Sequence, residues 1–365
     1  MDTIKGALNN KQRIDEIDIA KALGIFCVFL GHGTGGAIHN YIYLFHMPLF
    51  FILSGYMMKY QKMSILKILF RDNKLFSSYF VYSCIFIVFG LIKNPSLRTL
   101  IYNVGDTCTL YGIHALWFFS CLWIAKFIIR VLFRLKNSVI RCSLVILMYS
   151  IGYWISVLLR ELSYNGVLEN LAKSLSWSIV RACVILIFVY LGYVLKTYIS
   201  SFLLYFKEHI KLNFVLIAIT GALLIPFVQF EAVDYHLLKN GIFVLNLIYG
   251  IIGTLFILSI SIVVARFFKR LKNIFINIGK NSVHYIASEY FGFSKYVSAI
   301  LDKVIGTFPY YKYIEMGIYC IVLYFAVLLL SPYINKVINF LSEKLNSLEN
   351  KLTVRFNDKM MCSEE

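Results

Sequence analysis

The stretch IDIAKALGIFCVFLGHGTGG, residues 17–36, decides the fold class. An apolar segment of ~20 residues is long enough, as a helix, to cross roughly 30 Å of hydrocarbon. This one nevertheless holds Asp18 and Lys21 at one end and His32 towards the other. His32 comes eleven residues after Lys21, three helical turns. Their side chains therefore share a face, about 16.5 Å apart along the axis. Ionisable groups within a span are costly to keep in hydrocarbon and mark function. With Lys21 at a membrane edge and the His32 imidazole near the midplane, the segment reads as one wall of a site inside a membrane protein.

The same apolar pattern recurs along the chain. Of 365 residues, 59% are hydrophobic and 15% charged, with a mean hydropathy of +0.73. Soluble domains carry nearer ~25% charged residues. Spans are expected at 17–36, 43–58, 75–92, 113–130, 142–159, 177–195, 212–229, 241–264, 281–301 and 313–333. The expected fold class is all-α, a polytopic transmembrane bundle of about ten helices. Residues 1–333 form the embedded domain. Residues 334–365 form a cytoplasmic amphipathic tail, with Val337, Leu341, Leu345, Leu348 and Leu352 on its apolar side. Such a tail lies on the membrane or the bundle, or pairs two copies as a homodimer.

Charge sets the expected orientation. With the N-terminus inside, 27 of the 36 Lys and Arg fall in inner segments and 7 in outer loops. The positive-inside rule then places both termini in the cytoplasm. It also accounts for the net charge of +17, which is spread in short clusters and not gathered into a nucleic-acid-binding surface. No outer loop is long enough for a soluble catalytic domain, so any chemistry belongs to the bundle or its faces. The eight cysteines form no CxxC and no Cys/His cluster, so no metal site is expected. The polar start, and the absence of a small-residue cleavage site after the first apolar run, argue against a cleavable signal peptide.

The candidate residues follow from these placements. Gly24, Gly31 and Gly35 accompany His32 on the first span; close helix packing explains the glycines but not the histidine. FHMPLFFILSG, residues 45–55, brings His46 back towards His32, with Pro48 suited to a first helical turn. Ser54 lies deeper, where a hydroxyl commonly bonds its own helix backbone. Arg71 and Lys74 stand one turn apart at the inner rim and suit phosphate binding. His114 and Trp117 open the fourth span from the outer side, where an interfacial aromatic belt is the plainer account. Arg181, Glu289 and Lys295 are intramembrane charges that must face the interior. Glu289 is the most central and the best placed to tune a histidine.

With these residues placed, the chain resembles the acyltransferase family 3 integral membrane proteins, especially the branch similar to fucose and exopolysaccharide O-acetylases. The resemblance rests on RIDEIDIAKALGIFCVFLGH (13–32), FHMPLFFILSGYMMK (45–59), LWFFSCLW (116–123), VYLGYVLK (189–196) and IGKNSVHYI (278–286), in family order. It implies acyl transfer, usually of acetyl, from cytoplasmic acetyl-coenzyme A to a hydroxyl of a surface glycan or its lipid-linked precursor. It also implies a bacterial cytoplasmic membrane. The family's paired Arg and His on the first helix correspond to Lys21 and His32, and its basic pair after the second helix to Arg71 and Lys74. A common proline is replaced by Ser78, and a histidine closing the ninth-helix motif by Glu289.

The expected mechanism has Asp18, Lys21, Arg71 and Lys74 serving the coenzyme at the inner rim, with its pantetheine arm running along the glycine stripe. His32 acts as general base or transient acyl carrier, helped by His46 and Glu289. His114, Trp117, Arg181 and Ser54 face the acceptor. The competing reading is a glycan or small-solute transporter or flippase, which the intramembrane charges suit but the lack of repeated halves does not. A membrane sensor or scaffold is the third.

Overall fold

The computed structural model of the protein describes residues 14–162, 167–229, 233–289 and 311–361. Helix α1 (Asp15–Gly33) starts with Asp15, Glu16 and Asp18, acids that suit the positive end of a helix dipole. All three are paired. Lys272 meets Asp15 at 2.8 Å, Lys207 meets Glu16 at 2.7 Å and Lys21 meets Asp18 at 3.1 Å. The helix stops where Gly33, Thr34 and Gly35 precede Gly36 at φ +63°, a left-handed position that favours glycine. The chain then turns back through α2 (Gly36–Tyr43), breaks at Leu44 and Phe45, and continues as α3 (His46–Tyr56).

Beyond these lie α4 (Ile65–Phe70), α5 (Asn73–Lys93), α6 (Leu97–Cys108), α7 (Trp117–Leu132) and α8 (Ser138–Glu161). They are followed by α9 (Val167–Val194), α10 (Lys196–Glu208), α11 (Ile210–Leu224), α12 (Phe243–Phe267), α13 (Lys269–Lys280), α14 (Ser282–Ser288) and α15 (Tyr311–Met361). Among the described residues there is no strand, only an isolated bridge between Asp234 and Lys239. The protein is an all-α multi-pass membrane bundle.

Helices α3 and α9 cross at its centre. A Cβ on Gly55 would collide with the Val189 carbonyl, and one on Gly192 with that of Ile52. Backbones this close are how small residues join helices where no hydrophobic drive separates lipid from protein. Helices α7 and α8 pack on α9, while α12 and α13 pack on α1. The site sits on the inward faces of α1 and α3.

Eight described helical stretches are long and apolar enough to cross a membrane. Two of the ten expected spans are not among them. The acids and Lys21 in the first two turns of α1 account for the first. The ninth, 281–301, lies largely outside the described residues; α14 is its described part, and Lys295 falls outside it.

Boundaries differ where polar residues hide a helix from a hydropathy reading. Helix α9 begins ten residues before the expected span at 177, through Glu169 and Lys173. Helix α15 does not differ in this way: it runs unbroken from the last expected span through the segment read as an amphipathic helix continuing it. Asn73 at the start of α5 donates to Asn346 on it at 2.6 Å.

His32 lies in the last turn of α1, next to the terminal Gly33.

Candidate active site

Five helices and two loops converge on a cavity of about 230 Å³. Helix α1 supplies Val28 and His32, and the α2–α3 turn supplies Tyr43, His46 and Phe50. Glu289, directly after α14, and Ile286 close one side. The His114–Leu116 turn that starts α7 brings His114, with Trp117 beside it, and the 233–240 loop brings Asp234 and His236. Four of the seven histidines in the chain therefore line one small cavity.

The His32 Nδ1 and Glu289 Oε1 atoms are 3.2 Å apart. A carboxylate this close favours the tautomer with the proton on Nδ1, in which Nε2 carries the lone pair of a base. Tyr319 donates to the Glu289 backbone carbonyl at 2.7 Å and fixes that end of the pair. His46 is set in the same tautomer by other means. Its Nδ1 lies 3.0 Å from the Ile42 carbonyl, which can only accept, so Nδ1 carries the proton and Nε2 is bare. His46 is buried, whereas the His32 side chain is 48% exposed to the cavity and its mouth.

The loop before α7 is held in an unusual conformation. Leu110, Gly112 and His114 all have positive φ, at 59°, 82° and 50°. For Leu and His this is a strained region that persists only where the surroundings impose it. Those surroundings are on α5 and α9. Tyr79 donates to the Thr107 carbonyl at 2.9 Å, Ser178 to Thr109 at 3.0 Å, and Arg181 to Tyr111 at 3.1 Å.

Arg181 is fully buried and its guanidinium also donates to the His236 carbonyl. The faces of Tyr111, Trp177 and Trp117 surround it at 4.3, 5.4 and 5.6 Å. One side chain thus ties together both loops that bring histidines to the cavity. The 233–240 loop adds its own lock, because Asp234 Oδ1 accepts from the His236 and Leu237 amides at 2.9 and 3.2 Å.

The family model described as an acyltransferase domain matches residues 14–284, from the start of α1 to the middle of α14. The chain belongs to acyltransferase family 3. Comparison with curated proteins and with solved structures gives no match. Membership makes this protein a membrane acyltransferase, and the transport reading finds no support.

Within this acyltransferase family 3 chain, the residues named from sequence fall into two groups. His32, His46, His114, Trp117 and Glu289 line the cavity, and Arg181 stands directly behind Trp117. Asp18, Lys21, Arg71, Lys74 and Ser54 do not line it. Ser54 lies two turns along α3 from His46, and Asp18 and Lys21 are buried against each other. The glycine stripe is a packing surface: a Cβ on Gly24 would meet Phe50 at 2.9 Å and one on Gly31 would meet Tyr43 at 3.0 Å. A Cβ on Gly35, past the end of α1, would meet nothing within 4 Å.

Asp234 and His236 were not legible in sequence. They sit in a loop with no periodicity to mark them, and only the pairing of an acid and a histidine two residues apart offered a signal.

His236 lies outside the spans. Burial, then the Arg181 charge and the neighbouring histidines, push its pKa down to about 3. The unfolded chain binds its proton near pH 6.5 and the folded chain does not, so His236 costs stability as pH falls below ~6.5. The melting temperature in detergent is expected to fall with pH over that window, with His236 contributing at most about 1.4 kcal/mol per pH unit. His236→Gln should flatten the acid limb between pH 6.5 and 4. An unchanged slope would assign the limb to other groups.

Proposed function

We propose that the protein transfers an acyl group, most simply acetyl, from cytoplasmic acyl-coenzyme A to a hydroxyl of a surface glycan or its lipid-linked precursor, in a bacterial cytoplasmic membrane. The observation that carries this reading is the Glu289–His32 pair, in a cavity of four histidines within a chain of the acyltransferase family. His32 Nε2 removes the proton of the acceptor hydroxyl as its oxygen attacks the thioester carbonyl. The C–S bond then breaks, and the imidazolium returns the proton to the departing thiolate. Glu289 stabilises the charge that His32 gains in between.

The donor end is the basic rim at the start of α5. Arg71 and Lys74 are exposed there. Asp72 between them is turned inward, bonded to Arg130 and 3.9 Å from Lys126. Burial raises the Asp72 carboxyl, but Lys126 and Arg130 outweigh it and hold its pKa below the ordinary value. Arg71 and Lys74 are therefore offered to phosphates, with Asp72 held chiefly by Lys126 and Arg130 and only weakly by Arg71. From this rim the coenzyme arm follows the seam of α5, α14 and α15, where Tyr82 Oη and His284 Nδ1 meet at 2.7 Å.

The test is purified protein in lipid nanodiscs with radiolabelled acetyl-coenzyme A and glycan acceptors. Label should appear in a base-labile ester, with one free thiol released per ester formed. Thiol release with no label in any glycan hydroxyl would overturn the reading.

A further inference from the structure

We propose that a second, larger cavity beside the reaction site holds the hydrocarbon tail of a lipid-linked sugar, so that the acceptor is presented on a membrane lipid. This rests on the acyl-transfer reading of the site and names its acceptor class. The cavity is a groove of about 1050 Å³ between α1, α2, α12, α13 and α15. Small-molecule pockets run to ~1,000 Å³ at their largest and carry a few convergent polar groups. This groove is as large as that, but its walls are aliphatic and aromatic, with Phe26, Phe45, Phe256 and Phe325 among them. The reaction cavity, at about 230 Å³, is far smaller and has four histidines, Asp234 and Glu289 among its walls. One site suits a chain and the other a sugar hydroxyl with an acyl group.

The two sites share their walls. Phe29, Ile42 and Tyr285 face the groove, while their chain neighbours Val28, Tyr43 and Ile286 face the reaction cavity. At the His32 end the partition is one side chain thick. Met316 of the groove wall comes against Gly33, the residue after His32. Phe29 meets Tyr319 edge-on at 5.6 Å, and that tyrosine donates to the Glu289 carbonyl. A tail lying in the groove would thus bring its headgroup out beside the Glu289–His32 pair. Exposed Ile38, Ile321 and Phe325 leave the groove open sideways at the depth of the spans, so a chain enters from the bilayer without crossing a polar surface.

Gly317 makes the proposal testable. It lines the groove, and a Cβ there meets nothing within 4 Å. A larger side chain there starts from the groove wall into open space and not into packed neighbours, and Leu also favours the helix over Gly. Gly317→Leu and Gly317→Trp are assayed with a hexose on a long isoprenyl diphosphate and with the same hexose as an octyl glycoside. Leu158→Trp, on the exposed outer face of α8, is the control.

The expected result is a rise in KM for the long-chain acceptor of roughly tenfold with Leu and more with Trp. The octyl acceptor, the donor KM and the control variant should not change. A photoactivatable isoprenyl phosphate should label 316–325, and the lipid-linked hexose should compete it away. Four results would overturn the proposal: an unchanged long-chain KM, equal losses for both acceptors, wild-type preference for the octyl acceptor, or labelling that only bulk phospholipid competes for. Failure of the wild type to acylate either hexose would instead overturn the reading of the site itself.

Discussion

Replacing His32 with alanine should lower acyl transfer by about 10²–10⁴-fold, the range that a positioned general base contributes. Protein yield and melting temperature should hold. His32 lies in the last turn of α1 with its side chain half exposed, and among the described residues its close polar contact is to Glu289. The effect should fall on kcat, while the KM for the donor stays near wild type, because the basic rim at Arg71 and Lys74 is at the other end of the bundle. Glu289→Gln separates two contributions of the carboxylate. The amide still reaches Nδ1, but it carries no charge and can rotate to present its NH₂ group, which disfavours the tautomer with a bare Nε2. A fall of about 10–10²-fold is expected, smaller than for the His32 variant, together with an altered pH profile of kcat. Intact mass after exposure to donor alone then decides between base and carrier. A base leaves the enzyme unmodified, whereas a carrier adds one acyl group that disappears in the alanine variant. Full activity in His32→Ala would remove the centre of the mechanism.

The parts of the architecture legible in sequence were those that physics writes locally. Long apolar runs, and the alternation of Lys and Arg between them, mark spans one at a time. Hydropathy therefore located most of the spans, and missed the polar start of α9 and the shorter helices between spans, α4, α6, α10 and α13. His32 and Glu289 each stood out because an ionisable group in a span demands an explanation. Nothing local could pair them, since they come from opposite ends of the chain and meet only in the folded bundle. Lys21 shows the converse. Its shared face with His32 was a sound helical inference, yet Asp18 one turn away takes its charge and Phe50, Leu49 and Tyr43 fill the stripe between. Helical periodicity says which way a side chain points on its own helix, not what another helix places in front of it. For the same reason the 233–240 loop, with His236, was invisible.

Arg181 bears the second large effect. In Arg181→Met the side-chain volume is nearly kept, but the Tyr111 and His236 carbonyls lose their donor. Each buried acceptor left unpaired costs about 1–3 kcal/mol. The melting temperature should fall, and the loops that place His114 and His236 should loosen together. The strained φ of His114 depends on that hold, so the acceptor KM should rise while the donor KM stays put. Stability loss alone does not produce that split. The same substitution removes a charge that depresses the His236 pKa, so its titration should move up towards the ordinary histidine value of ~6.5. Histidine NMR signals in nanodiscs would report that movement. Arg181→Lys is the discriminating partner, because it keeps the charge but not the planar fork that spans two carbonyls. It should leave His236 depressed while still loosening one loop. If Met and Lys both behave as wild type in melting, acceptor KM and His236 titration, Arg181 is not the clamp that joins the two loops.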